Sequence, residues 1–223
     1  MLTKEQQIFF RSEVLSNLDI EKIDQLQSDR ALLVNELIQI VNRVANKSSV
    51  YVSSADALAM AEMVADEIGG YGPLRELMSD DTVNDILVNG PNDIWVERAG
   101  ILEKTDKMFI NNEQLTDIAK RLVARVGRRI DDSSPLVDSR LPDGSRLNVV
   151  IAPIALDGTS ISIRKFSKNK KSLQELVSFG SMTRDMANFL IIAARSRVNI
   201  IVSGGTGSGK TTLLNALSNY ISH

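Results

Sequence analysis

The sequence predicts an α/β protein in three parts. These are an N-terminal helical bundle over residues 1–68, an α+β domain over 69–165, and, after a linker at 166–172, the start of an α/β domain over 173–223. Three observations carry this division. Apolar residues recur at helical spacing up to Ile68. Short alternating runs broken by Gly, Pro, Asn and Asp follow Gly70. A glycine loop, GGTGSGKT over Gly204–Thr211, sits between an apolar run and a helical pattern.

In the first part, Thr3 and Gln6 have capping-box spacing, and Ile8, Phe9, Val14, Leu15 and Leu18 form an apolar stripe. A second helix is expected to start near Asp19 or Asp24, with Ile23, Leu26, Leu33, Leu37, Ile40, Val41 and Val44 on one face. A third is expected over about Ala55–Ile68. Its charges and those of its neighbours are mixed in sign, which favours a soluble bundle over a membrane-surface role.

Gly69-Gly70-Tyr71-Gly72-Pro73 is a break. Beyond it, Val83–Asn89, Ile94–Arg98, Ile101–Thr105, Leu147–Ile151 and Ser160–Arg164 are predicted strands, and Leu115–Val126 a helix. Arg128 and Arg129 are read as complementing that helix's C-terminal dipole. The polar, basic run Phe166–Ser172 is read as a linker. Helices are then expected over Ser172–Phe179, Thr183–Ser196 and Lys210–Ile221, with a strand at Val198–Ser203.

The bulk composition narrows the function classes. With 26 basic and 28 acidic side chains the net charge is −2, so no global field draws the chain to nucleic acid or acidic lipid. Cysteine is absent and the one histidine is His223, which removes disulfides, thiolate metal sites and an internal catalytic histidine. No apolar run reaches 18 residues, and the N-terminus lacks the apolar core of a signal peptide. The expectation is a soluble, cytoplasmic protein.

Gly204, Gly209, Lys210 and Thr211 match G-x-x-x-x-G-K-[ST]. Glycines permit positive φ and close approach of the backbone to phosphate. Successive N–H groups at Gly205, Thr206, Gly207, Ser208 and Gly209 can form an anion nest, aided by the helix N-terminus. Lys210 can reach β- and γ-phosphates, the Thr211 hydroxyl can ligate Mg²⁺, and Thr212 follows in the same turn. The competing reading is a glycine-rich turn without a ligand.

Asp138–Arg146 reads DSRLPDGSR, so Arg140 and Arg146 flank a Pro-Asp-Gly turn, while Arg164 ends a later strand. Arginine's planar fork suits γ-phosphate contact. On residues alone, surface salt bridges are the favoured explanation.

Five segments together resemble the secretion ATPases of the type II/type IV superfamily, and most resemble the Flp/Tad pilus assembly (CpaF-like) ATPases. They are GGYGPLREL at Gly69–Leu77, Val83–Gly90, DSRLPDGSRLN at Asp138–Asn148, ISIRKF at Ile161–Phe166 and IIVSGGTGSGKTTLL at Ile200–Leu214. The resemblance covers residues 69–223. It implies an α+β, PAS-like N-terminal domain, a linker and a RecA-like domain that binds ATP with Mg²⁺. It further implies a homohexamer on the cytoplasmic face of the inner membrane, working with platform proteins and without nucleic acid. In such proteins arginines of the N-terminal domain contact the nucleotide phosphates. Arg140 and Arg146 match that role here with Arg164 assisting, which reverses the salt-bridge reading for the first two.

The family's aspartate-rich box, Walker B segment and histidine box lie beyond the stretch ending at His223. The expectation is therefore the front half of an ATPase, unable to turn over ATP alone. A non-catalytic nucleotide-binding module of a secretion platform is the first alternative. A DNA-transfer motor, supported only by the basic run Arg164–Lys171, is the second.

Overall fold

The computed structural model describes residues 2–19, 25–26, 29–166, 171–205 and 207–221. The chain divides into two compact units, Met1–Phe166 and Ser167–His223.

In the first unit, α1 (Lys4–Ser16), α2 (Arg30–Ser48) and α3 (Ser54–Ile68) pack around Phe10, Val14, Leu37, Val41, Met60 and Val64. The capping box forms: the Gln6 amide donates to Thr3 Oγ1 at 3.3 Å and the Thr3 amide to Gln6 Oε1 at 2.9 Å. The expected start of the second helix shifts. Asp29, whose carboxylate accepts from the amides of Ala31 and Leu32, caps α2. Ile23 and Asp24 lie outside the described residues, while Leu26 packs on the bundle core.

The glycine break after α3 has a steric reason. Gly72 has φ +51°, and a Cβ there would stand 2.4 Å from Ile118 Cδ1. A 3₁₀ turn (Gly72–Leu74) runs into the short α4 (Arg75–Ser79), which periodicity alone did not reveal.

A six-stranded antiparallel sheet follows, built from β1 (Asp85–Asn89), β2 (Ile94–Arg98), β3 (Ile101–Lys104), β4 (Leu136–Arg140), β5 (Arg146–Val150) and β6 (Ser160–Arg164). The spatial order is β3-β2-β1-β6-β5-β4. Strand alternation sends Ile86, Val88, Val96, Leu147, Val149, Ile161 and Ile163 to one face. Leu115, Ile118, Leu122 and Val123 of α5 (Asn112–Arg125) cover that face. Asp85, Asp138, Arg140, Arg146, Asn148, Ser162 and Arg164 alternate with the buried residues and lie on the other face. β4 is a strand the sequence reading missed.

The dipole reading of Arg128 and Arg129 is corrected. The helix ends at Arg125, which is itself the basic residue of the last turn, and Arg129 pairs with Asp131 at 2.9 Å. Arg125 Nη2 donates to the Gly69 carbonyl at 2.5 Å and its guanidinium stacks 5.5 Å from the Tyr71 ring centroid.

A buried ionic cluster ties the bundle to α5. Glu67, fully buried, accepts from Arg11 at 2.9 and 2.8 Å and from Gln114 Nε2 at 3.1 Å. Arg11 also donates to Asp117 at 2.7 Å. Burial works against its charge, but Glu67 and Asp117 hold the Arg11 guanidinium above its ordinary value.

The second unit holds α6 (Leu173–Ser178), α7 (Arg184–Arg195) and α8 (Lys210–Ser218) around Leu173, Leu176, Ala187, Ala194, Ala216 and Leu217. Ser172 and Thr183 cap the first two. The strand expected at Val198–Ser203 does not form: the segment has no ladder partner among the described residues, and Ile201 is 93% exposed. Strand propensity without a neighbour leaves the backbone groups to water. The linker residues 167–170 lie outside the described residues, as does His223.

Candidate functional site

Two surfaces carry the residues singled out by the sequence, one in each unit.

In the second unit, Gly204, Gly207 and Gly209 have φ of +155°, +75° and +85°, so each needs glycine. Gly209 stands at the N-cap of α8, and Lys210, Thr211 and Thr212 form its first turn. A Cβ on Gly204 would stand 2.7 Å from Ser208 Oγ, which in turn donates to the Gly205 carbonyl at 2.9 Å. At Gly205, Gly207 and Gly209 a Cβ would meet nothing, so that side of the loop is open. The Lys210 ammonium turns back across the loop and donates to the Gly205 carbonyl. The exposed Thr211 hydroxyl has no protein partner among the described residues. Thr206 lies outside the described residues. Backbone amides at the start of a helix, an adjacent ammonium and a free hydroxyl fit a phosphate chain with a divalent cation. Among the described residues no group of three or more acidic or histidine side chains could hold a metal unaided, so a cation here would need phosphate oxygens to complete its shell.

In the first unit, three arginines stand in one lateral row on the solvent face of the sheet. Arg140 on β4 opposes Arg146 on β5, and Arg146 opposes Arg164 on β6. The row continues through Asp85 on β1 to Glu97 on β2. Like charges directly opposite destabilise a sheet, so the row needs counter-charges. Asp138 supplies one, accepting from Arg146 Nε at 3.2 Å and from Nη2 at 2.6 Å. Asp85 supplies another, accepting from Arg164 Nε at 3.1 Å. Arg140 has no hydrogen-bond or ion-pair partner among the described residues.

The carboxylates differ in their electrostatics. The hydrogen bonds from Arg146 hold the Asp138 carboxyl below its usual range. Burial pushes Asp85 up, and the neighbouring Glu97 pushes it further, against the pull of Arg164. Glu97 is lowered by its hydrogen bond with Asp85 and by the Gly100 amide. A shallow cavity of about 300 Å³ opens between Asp85, Asp138, Arg146, Asn148, Ser162 and Arg164.

The structure thus brings Arg140, Arg146 and Arg164 together, as sequence spacing alone could not for Arg164. Sequence reasoning missed Asp138 and Asp85. Asp138 was detectable, since the turn at Pro142-Asp143-Gly144 puts it on the same face as Arg146. Asp85 was not, because the β1–β6 pairing that delivers it is non-local.

These features define a protein of mixed helix and sheet in which a glycine loop opens a helix and a separate unit displays an arginine-bearing sheet. The family model described as Type II/IV secretion system protein matches residues 67–223, and the chain belongs to that family. An uncharacterized protein of Methanocaldococcus jannaschii is 33% identical over 223 aligned residues, covering 97% of this chain and 29% of that protein. The type IV secretion system protein VirB11 of Brucella suis is 31% identical over 172 residues, covering 67% of this chain and 48% of its own length. The crystal structure of the VirB11 ATPase from the Brucella suis type IV secretion system, in complex with sulphate, aligns at 28% identity and a TM-score of 0.47, covering 69% of this chain and 55% of that one. The chain spans between under a third and about half of the length of these curated relatives. Among the described residues no helix is long and apolar enough to cross a membrane.

Proposed function

We propose that this chain is the ATP-binding N-terminal portion of a secretion ATPase, a homohexamer at the cytoplasmic face of the inner membrane that powers Flp/Tad-type pilus assembly or protein secretion together with platform proteins. In this reading the first unit includes the PAS-like N-terminal domain and the second opens a RecA-like domain. Gly204–Thr211 cradles the phosphates, Lys210 contacts the β- and γ-phosphates, and Thr211 contributes a ligand to Mg²⁺. The cation would neutralise phosphate charge. Arg140 and Arg146, assisted by Arg164, contribute further phosphate contacts.

The observation that carries the reading is the glycine loop at the start of α8, with its positive-φ glycines and the Lys210 ammonium turned back across it. Family membership supports it. Calorimetric titration of the full chain with ATP and Mg²⁺, beside Lys210→Ala, tests it. The expected result is binding by the parent chain and a loss of tenfold or more, about 1.4 kcal/mol, in the variant. Equal affinity in both would refute it.

A further inference from the structure

The arginine row is organised by two carboxylates that grip the guanidinium groups in one particular way. A guanidinium has five N–H donors: one on Nε and four on the terminal nitrogens. Asp85 takes only the Nε of Arg164, at 3.1 Å. Both terminal nitrogens of Arg164 are without partners among the described residues. Asp138 takes Nε and one edge of Nη2 of Arg146, which leaves Nη1 and the second Nη2 hydrogen.

Depth points the same way. The Asp85 side chain is 17% exposed beneath an Arg164 that is 75% exposed, and Asp138 is 44% exposed beneath an Arg146 at 65%. In each pair the guanidinium is more exposed than its carboxylate, by a wide margin for Arg164 over Asp85 and a smaller one for Arg146 over Asp138. An arginine side chain is longer than that of aspartate, so a carboxylate that bonds its Nε edge leaves the terminal nitrogens facing solvent.

We infer that Asp138 and Asp85 are positioning residues that hold Arg146 and Arg164 by their inner edges, so that the outer nitrogens of both arginines form a fixed fork for the oxygens of a polyphosphate. The inference rests on the reading of this face as a phosphate-contacting surface. It adds a division of labour: Arg146 and Arg164 supply geometry, while Arg140, which no carboxylate holds, supplies charge. Planar bidentate recognition of phosphate needs that pre-set orientation, whereas a point charge does not.

The inference reverses the sign of a simple charge argument. Removing Asp138 makes the row more positive, and on charge alone polyphosphate should bind more tightly. If Asp138 positions Arg146, binding should weaken instead.

The test uses the full chain carrying Lys210→Ala, titrated with inorganic tripolyphosphate at low salt, so that the arginine face dominates the signal. In that background Asp138→Ala is expected to weaken binding about fivefold, with Asp138→Glu recovering most of the loss. Arg146→Lys, which keeps the charge and loses the fork, should lose nearly as much as Arg146→Ala, and Arg164→Lys should do likewise. Arg140→Lys should lose less than either. The lysine variants keep the test decisive if removal of the deeper Asp85 perturbs the sheet, and the unfolding transition of each variant reports on that directly. Tighter binding in Asp138→Ala, or near-parental binding in Arg146→Lys, would overturn the inference while leaving the phosphate-contacting reading intact. If Arg146→Ala and Arg164→Ala both bind tripolyphosphate as the background does, that reading fails and takes the inference with it.

Discussion

Between Leu74 and Ile163 the sheet and α5 share one extended core, and exposed apolar side chains of the sheet are confined to its edge strands at Ile101, Leu102 and Leu136, whereas in the second unit Phe189, Ile192 and Ile201 are 70%, 64% and 93% exposed. The first unit closes two cores, one inside the helices and one between sheet and helix. The second gathers three leucines and three alanines. Burial of large apolar side chains is the main favourable term in folding, so stability is concentrated in the first unit. The glycine loop sits in the unit with the thinner core, and the arginine row rides on the sheet of the better-packed one. Precise orientation of guanidinium groups needs a rigid base, while a loop made of glycines and backbone amides can order around its ligand.

The largest effect that would sharpen this contrast lies at Glu67. Removing it leaves Arg11 and Gln114 buried without their shared acceptor. Breaking a buried pair from one side costs about 3–5 kcal/mol. Glu67→Ala should therefore lower the first unit's stability by that order, read by the fluorescence of Trp95, the single tryptophan. Hydrogen exchange at α7 and α8 should stay at the parental rate. Parallel loss in both units would mean that they unfold together and that their stabilities are not separate.

Next come paired core truncations. Ile86 and Leu217 are both buried, but Ile86 lies inside the large sheet core and Leu217 in the smaller core of three leucines and three alanines. Ile86→Ala should cost about 2–5 kcal/mol. Leu217→Ala should fall at or below about 2 kcal/mol, because a thin core beside solvent collapses more readily onto the gap. Denaturant titration of both variants checks the order, and a reversed order would overturn the ranking of the two cores.

Ligand linkage separates the units from the other side. If Gly204–Thr211 is the main nucleotide contact, Mg·ATP at about a hundred times its Kd should stabilise the second unit by about 2.7 kcal/mol. Hydrogen exchange should slow first in the α8 amides. Protection confined to the sheet would instead make the arginine face the principal site.

The same contrast governs what could be read from the sequence. The helices and most strands of the first unit were legible because one face of each is buried, which imprints the period on the residues: Leu115, Ile118, Leu122 and Val123 along α5, and Ile161 and Ile163 on β6. β4 was obscured, since only Val137 of its five residues is buried and the strand therefore carries little alternation. Val198–Ser203 shows the reverse error: its composition is that of a strand, but strands are made by neighbours. The loop was legible because its chemistry is local. The Glu67 cluster and the Asp85–Arg164 pair were not, because each joins residues far apart in sequence, and no spacing rule encodes such contacts.

The smallest effect expected is a difference in acid sensitivity, and it follows from where the perturbed carboxylates lie. In the first unit the Thr82 hydroxyl and Arg98 hold Asp80 well below its usual range, and Glu76, Asp93, Asp131 and Asp138 are lowered by hydrogen bonds. In the second unit Glu175, bonded to Ser172, is the described carboxylate lowered in the same way. A carboxylate whose folded value is depressed contributes stability that is present above its unfolded value, about 4, and disappears as pH falls through the folded one. Asp85 opposes this trend, because its raised value makes protonation easier in the folded state. The depressed groups outnumber it, so between about pH 5 and pH 2 the first unit should lose stability more steeply than the second. Asp80→Asn should flatten the acid limb measured by Trp95 fluorescence and leave exchange in α7 and α8 unchanged. An acid limb of the same slope in the variant would show that the Thr82 and Arg98 hydrogen bonds to Asp80 do not survive in solution, and that the first unit's acid sensitivity arises from its other carboxylates.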